Sequence, residues 1–309
     1  MRILSRGFRS TLQILIYTSF VVGALMAWFQ PAWAAPEDPA QAAEAVTRDL
    51  TAQEILDKAG TVQGGGEIAR NLRSFSADFE TEYYKEDEGQ VYYQVKRLFQ
   101  YPCVLWTEKK HETQAKPTWE VYNGEDGWFI DAEKKVTVYT DKPSTYETDI
   151  ENLEEDVRVT RELFRYFFIA KLSRELNDME RLSDEPVFKG NPPVHVVAGK
   201  TTTYAGGEEE KTVYLKIYID PKESLVVAVR MKNLDAQLQD RLFIFEKHLK
   251  NRQGVLVPTL IKMYGEEEKK PEMKIFINSE KGDDDKFYPM IDFNIKIDPK
   301  LVNLPEKEE

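Results

Sequence analysis

The sequence predicts a mainly β fold with helices (α+β): an open antiparallel half-barrel of about ten or more strands, with a long helix on its concave side. Two observations predict it. Apolar and polar residues alternate with period two in many short segments after residue 73, which is typical of half-buried strands. Short turns rich in Gly, Asn and Asp join these segments, and one stretch between them has helical periodicity, so consecutive hairpins are favoured over βαβ units.

The first 34 residues have the pattern of a secretory signal peptide. A basic region that ends at Arg9 precedes an apolar run over residues 12–29, and Ala32-Trp33-Ala34 offers the small-x-small site that signal peptidase accepts. We therefore predict cleavage after Ala34 and export from the cytoplasm. The apolar run is long for a signal peptide, so an uncleaved N-terminal membrane anchor is the alternative.

Charge and cysteine content narrow the functional class. The chain has a formal charge of −12, and removal of the signal, which has three arginines and no acids, leaves −15. Such an acidic surface repels nucleic acid, whose phosphates are bound by Lys and Arg. Cys103 is the only cysteine, so no internal disulfide can form, and its apolar neighbours predict a buried small side chain instead of a nucleophile.

The mature chain is predicted to be one domain. Residues 35–50 are rich in Ala, Pro, Glu and Gln and predict a flexible leader, residues 51–305 form the half-barrel, and residues 306–309 are a mobile tail. The domain opens with a capping-box pattern at Thr51 to Glu54, which starts a short helix that Gly60 is expected to end.

The strands follow from the alternation of apolar and polar residues. The clearest strand covers residues 74–83, where Phe75 and Phe79 lie on one apolar face, and Tyr93 and Val95 repeat the pattern after a turn. Further strands are predicted at residues 104–109, 119–122, 128–130, 136–140, 194–198, 213–219, 225–231, 242–249, 255–264, 273–277 and 290–297.

One long helix is predicted from Asn152 to Leu182, where apolar residues recur at steps of mostly four. Its first turn is acidic, which suits the positive end of a helix dipole. Between Leu163 and Ala170 the helix is apolar on nearly every side. We therefore expect this part of the helix to be enclosed by the sheet.

Several motifs follow one another in an order found in a known family. They are Ser74–Phe79, Lys96-Arg97 followed by Pro102–Trp106, Tyr122–Ile130, the apolar Leu163–Leu172, and the Asp220-Pro221 turn with the strand after it. In this order they resemble the LolA/LolB-type periplasmic lipoprotein carriers, over most of residues 68 to 262. The resemblance implies an unclosed β-barrel with helices as a lid and a periplasmic location. It also implies non-enzymatic binding and transport of an acylated or lipid ligand, such as a lipoprotein.

The chain also departs from these carriers. In them an arginine just before the strand proline contacts the lid, whereas Tyr101 stands there in this chain and Arg97 lies five residues before the proline. The gating detail of the family therefore does not transfer. The same fold resembles the lipid-sensing half of periplasmic stress regulators, so the alternative function is a lipid-sensing or scaffold protein that binds an envelope protein partner.

A carrier of acyl chains needs apolar walls that remove the chain from water, at about 0.8 kcal/mol for each CH₂ buried. The alternative is that the same side chains form an ordinary packed core. The candidate ligand-binding residues are Phe75, Phe79, Tyr93, Val95, Leu105, Trp128, Ile130, Phe164, Phe167, Phe168, Leu215, Ile217, Val227 and Val229.

No pattern for catalysis or cofactor binding is found in the sequence. It has no Gly-x-Ser-x-Gly, P-loop or dinucleotide motif. His111, His195 and His248 lack the spacing of metal ligands, and residues 283–285 (three Asp) predict a solvated turn rather than a calcium site. We therefore predict that the protein is not an enzyme and holds no cofactor or metal. The identity of its ligand is left open.

Overall fold

The computed structural model of the chain describes residues 49–85, 89–139, 141, 145–204, 210–234, 240–265 and 270–303, without the side chains of residues 84, 85, 164, 204 and 210. The predicted signal peptide, the leader up to residue 48 and the tail lie outside these residues. From Leu50 onward the described residues belong to one compact unit. Within the described ranges, no helix combines the length and the apolar character that crossing a membrane requires.

Most of the described chain is β-strand. In chain order, strands β1 to β16 are Ser74–Lys85, Gly89–Gln100, Val104–His111, Thr118–Tyr122, Gly127–Ile130, Val136–Val138, Asn177–Glu185, Val194–Tyr204, Glu210–Ile219, Val226–Asn233, Arg241–Lys250, Leu256–Tyr264, Met273–Ile277, Ser279–Lys281, Phe287–Pro289 and Ile291–Phe293. Fourteen of them form one sheet in the order β6-β5-β4-β3-β2-β1-β13-β12-β11-β10-β9-β8-β7, with β16 also paired to β1. The β14–β15 hairpin is separate.

The sheet stays open, and the chain crosses it once between its two ends. Strands β6 and β7 are consecutive in sequence but lie at opposite ends of the sheet. The segment that joins them contains α3 and α4, and we call residues 147–175 the crossing segment. This architecture confirms the predicted open antiparallel half-barrel. The helices α1 to α5 are Ala52–Gln63, Gly66–Arg70, Glu147–Tyr166, Ile169–Glu175 and Pro299–Val302.

Helix α1 begins with the predicted capping box but ends later than predicted. The Thr51 hydroxyl accepts a hydrogen bond from the Glu54 amide, and the Glu54 carboxylate accepts one from the Thr51 amide. Gly60 lies inside the helix, where a Cβ would be 3.1 Å from the Cβ of Ala170. This glycine therefore allows close packing of α1 on α4, and the helix ends at Gly64, which has a positive φ of 77°.

The long helix predicted for residues 152–182 is wrong at both ends. Helix α3 begins at Glu147 and ends at Tyr166, and α4 covers only Ile169–Glu175. Phe167 and Phe168 separate them, and Phe168 has backbone angles of φ −124° and ψ 75° that a helix does not allow. Residues 177–182 belong to the edge strand β7, which pairs with β8, so the hydrogen bonds of the sheet override the apolar spacing of the sequence.

Buried apolar side chains form two clusters on the two faces of the sheet. The larger cluster joins the sheet to α1, α3 and α4, and we call its side of the sheet the helix-covered face. The smaller one, the outer cluster, has Val194, Val196, Tyr218, Ala228, Leu242 and Ile244 as its buried members. Successive residues of one strand therefore point to different clusters. Only the residues on the helix-covered face could contact a ligand bound there.

Candidate functional site

The helix-covered face contains most of the predicted ligand-binding residues. Tyr93 is half-buried and packs against the margin of the larger cluster. The buried members are Phe75, Phe79, Val95, Leu105, Phe167, Phe168, Leu215, Ile217 and Val229. Phe164 lies in α3, but its side chain is outside the described part of the structure.

Aromatic side chains at the break between α3 and α4 fill the centre of this face. Phe167 and Phe168 are each 1% exposed. The Phe168 ring meets Phe293 edge to face at 4.6 Å between centroids, and the Phe167 ring lies 6.4 Å from Phe245. The break in the helix lets two successive aromatic residues point inward, which an unbroken helix would place about 100° apart.

Little empty space remains beside these rings. A cavity of about 10 Å³, room for about one water molecule, is lined by Tyr166, Phe167, Leu225, Val226 and Phe245 among others. In this conformation the crossing segment itself occupies the apolar surface. A ligand on the helix-covered face would have to displace the aromatic side chains of that segment.

Trp128 and Ile130 lie on the opposite face from the one predicted. A Cβ on Gly127 would be 2.9 Å from Leu153 Cδ2, so the Cα hydrogen of this glycine faces α3. Side chains alternate along a strand, which turns Trp128 outward and Phe129 back towards the larger cluster. Trp128 is buried on the outer side, and Ile130 is partly exposed there.

Val227 also lies away from the helix-covered face. The pairing of β10 with β9 shifts between Val226 and Ala228, so one extra residue is inserted into the strand. Val227 packs against the outer cluster, whereas Val226 and Val229 belong to the larger one. The bulge thus breaks the alternation on which the prediction for Val227 depended.

The first end of the crossing segment is tied to the sheet by an ion-pair network. Asp156 on α3 accepts hydrogen bonds from Arg97 at 3.0 Å and from Lys109 at 3.2 Å. Arg97 also donates to the Thr160 hydroxyl at 2.6 Å, and Lys109 pairs with Glu120. Burial alone would raise the pKa of Asp156, but the two cations outweigh it and hold that pKa below its usual range.

The same network holds Lys109 protonated. Burial alone would lower the pKa of Lys109, and the carboxylates of Asp156 and Glu120 raise it above its ordinary value. The Arg97 Nε and the hydroxyl of Thr107 are buried and have no hydrogen-bond partner among the described residues. The network therefore lies on an apolar face with part of its hydrogen-bonding capacity unused.

The second end of α3 is tied to the other half of the sheet. Glu162 is 1% exposed and accepts hydrogen bonds from Thr203 of β8 at 2.6 Å and from Tyr166 at 3.1 Å. Arg165 donates to Glu175 at 2.6 Å and to the carbonyl oxygen of Thr202 at 2.7 Å. The helix is thus anchored to strands on both sides of β1.

A third ion pair anchors α3 at Glu155, next to Asp156. Arg241 of β11 donates to Glu155 at 2.6 Å, and Arg158 donates to the same carboxylate. Sequence reasoning missed all three anchors. The signal was present, because Arg97 falls in phase with Val95 and Phe99 on an otherwise apolar strand face, where a charged side chain needs a buried partner.

The three histidines are spread over the domain. His111 bonds Thr113 at 2.7 Å, and His195 lies 3.3 Å from Asp184. His248 lines the small cavity, and burial lowers its pKa. Within the described residues, no three His, Cys, Asp or Glu side chains gather where they could hold a metal ion.

No family model matches the chain, and no curated protein matches it. Among solved structures it is similar to an outer membrane lipoprotein-sorting protein domain from Vibrio parahaemolyticus, at 11% identity and a TM-score of 0.40, over 80% of this chain and 94% of that chain. A LolA superfamily protein from Nitrosomonas europaea matches at 12% identity and a TM-score of 0.42, over 74% and 91%. A DUF1329 family protein from Desulfovibrio piger matches at 10% identity and a TM-score of 0.44, over 82% and 97%.

One of these structures is a LolA superfamily protein, the group that the motifs in the sequence resemble. All three TM-scores lie below 0.5, so these structures carry no argument about ligand, partner or function. Those properties depend on the side chains of this chain.

Proposed function

We propose that this chain is an exported, non-enzymatic protein of the periplasm that binds and carries an acylated or lipid ligand on its helix-covered face. One observation supports the proposal above the others. The open sheet is crossed by a single segment whose break places Phe167 and Phe168 on the apolar face. These rings occupy the position that acyl chains would take after the segment moves.

The energies favour a ligand with more than one acyl chain. Removing Tyr166, Phe167 and Phe168 from their buried sites costs roughly 5–9 kcal/mol, at about 1.5–3 kcal/mol for each side chain. One chain of ~16 carbons gains on the order of 12 kcal/mol gross, from which the entropy of association is still to be subtracted. A single chain therefore leaves little net affinity, and two or three chains in one molecule give a clear surplus.

Native mass spectrometry of the exported mature chain, followed by organic extraction of the molecules that co-purify with it, tests the proposal. We expect a co-purified lipid or lipopeptide with acyl chains. Fluorescent fatty acid binding then compares Phe167→Leu and Phe168→Leu with Tyr218→Leu, a matched change of a buried aromatic residue in the outer cluster. If the rings compete with the ligand, the first two variants bind about tenfold more tightly for each ~1.4 kcal/mol of lost packing, and the control does not.

A bare mass, together with no binding of a fluorescent lipid that has two acyl chains, would show that the face is an ordinary core. Equal affinity in all three variants would place any bound lipid elsewhere. The carrier and the sensor differ in the fate of the bound lipid. A carrier passes the extracted lipid to acceptor vesicles, whereas a sensor keeps it and changes its affinity for an envelope protein.

A further inference from the structure

A cleft beside the crossing segment has a charge opposite to that of the protein as a whole. Its volume is about 330 Å³, at the lower end of the range for small-molecule pockets. It is lined by Arg161 and Arg165 of α3, by Lys171 and Glu175 of α4, and by Tyr101 between β2 and β3. Three cations and one carboxylate thus meet in a chain whose formal charge is −12.

Among the described residues, carboxylates form ion pairs with Arg165 but not with Lys171. Arg165 pairs with Glu175 at 2.6 Å and with Glu162 at 3.7 Å. No carboxylate of the described residues forms an ion pair with Lys171. Burial, together with repulsion from the two arginines, lowers the pKa of this lysine although Glu175 opposes the change. An anion bound in the cleft would offset this repulsion and stabilise the protonated lysine.

Tyr101 also lines the cleft, and its ring packs against two of the cations. Its ring centroid lies 4.3 Å from Lys171 Nζ and 5.9 Å from the guanidinium carbon of Arg161. The Tyr101 hydroxyl is buried and has no hydrogen-bond partner among the described residues. Burial and the nearby carboxylates raise its pKa, so the hydroxyl keeps its proton and can donate a hydrogen bond to an oxyanion.

We propose that this cleft binds a phosphate group through Lys171, Arg161 and the Tyr101 hydroxyl. Two cations and a neutral donor around a small space match the charge and the several acceptor oxygens of a phosphate. The phosphate belongs either to a lipid headgroup or to a small soluble ester, since the same contacts serve both. The inference goes beyond acyl binding and does not rest on it, because it uses polar side chains outside the apolar face.

Calorimetric titration of the exported mature chain, at constant ionic strength with chloride as the balancing anion, tests the site. Inorganic phosphate and glycerol 3-phosphate are expected to bind. Lys171→Gln and Arg161→Gln should each weaken binding at least ~tenfold, and Lys171→Arg should retain it. Lys200→Gln is the matched control, because it removes a cation on β8 that pairs with Asp178 and does not line the cleft.

Two lipids distinguish the source of the phosphate. Lysophosphatidic acid that binds at least ~tenfold more tightly than glycerol 3-phosphate indicates a lipid headgroup, and equal affinity indicates a soluble ester. Diacylglycerol has two acyl chains and no phosphate and therefore reports on acyl binding alone, so its failure to bind counts against the proposed function and not against the cleft. The phosphate site is overturned if neither phosphate binds, or if Lys171→Gln and Arg161→Gln bind as well as Lys200→Gln.

Discussion

Replacing Asp156 by Asn tests whether the crossing segment must leave the sheet for a ligand to bind. Asp156 of α3 contacts both Arg97 and Lys109. Asparagine has nearly the same shape and retains a hydrogen-bond acceptor but has no charge. The substitution therefore weakens the anchor without opening a cavity in the apolar face.

The cost depends on the burial of the three partners. The Arg97 side chain is 9% exposed, that of Lys109 25% and that of Asp156 28%, so the charges are partly screened by water. Removing one partner of a fully buried pair costs about 3–5 kcal/mol, and a charged hydrogen bond contributes about 1.5–3 kcal/mol. After discounting for exposure we expect a loss of about 2–3 kcal/mol in the free energy of unfolding, or roughly 4–12 °C in Tm for a domain of this size.

The assay combines thermal unfolding with fatty acid binding. If α3 has to move before the ligand enters, the same 2–3 kcal/mol lowers the cost of opening, and the Kd should fall by up to about 30- to 150-fold. Asp178→Asn, which removes an exposed pair with Lys200, should leave both measurements unchanged. A lower Tm with an unchanged Kd would refute the reasoning, since it would show that α3 stays in place when ligand binds.

Three further predictions concern pH, packing and the single thiol. The pKa of Asp156 is lowered in the folded protein, so its carboxylate stabilises the fold fully above the ordinary Asp range, and this stabilisation is lost as the pH falls through the folded-state pKa. The pKa of Lys109 is raised, so the stabilisation from its ammonium group is lost only at high pH. The Tm difference between wild type and Asp156→Asn should thus be constant from about pH 5 to pH 9 and should shrink below about pH 4. Gly127→Ala should cost about 1–3 kcal/mol in urea unfolding, because the new Cβ lies 2.9 Å from Leu153 Cδ2, and an unchanged midpoint would show that α3 shifts freely. Burial raises the pKa of Cys103, so it should react with a disulfide reagent more slowly than an unfolded control at pH 8, and an equal rate would contradict that burial.

Alternation of apolar and polar residues predicted the sheet because many of its strands have one face in the apolar core and the other towards water. Strand β1 is the clearest case, since Phe75, Ala77 and Phe79 all point into the larger cluster. Alternation cannot assign the faces of a strand when the residues on both faces are apolar. In β5, Trp128 and Phe129 are both hydrophobic, and only the contact of Gly127 with α3 decides which of them points inward.

The end of the long helix could not be predicted from local sequence. Residues 177–185 are rich in charged residues and have apolar residues at helical spacing, yet they form the edge strand β7. Charged side chains are common on edge strands, where they prevent pairing with other molecules, so a protected edge strand and an exposed helix have similar compositions. The pairing of Arg181 with Val197 of β8, a contact between distant residues, decides between them.

The contrast between the acidic exterior and the basic cleft bears on how a ligand could be selected. A chain with a formal charge of −12 is repelled by an anionic membrane surface, so its affinity for lipid headgroups in a bilayer is low. Inside the cleft, Lys171 lacks an ion-pair partner among the described residues and lies 4.3 Å from the Tyr101 ring. A phosphate in this cleft meets mainly positive charges, whereas at the rest of the surface it meets a net negative charge. The cleft therefore favours binding of a single anionic molecule that fits it, whereas the acidic exterior disfavours adsorption to the membrane that contains such molecules.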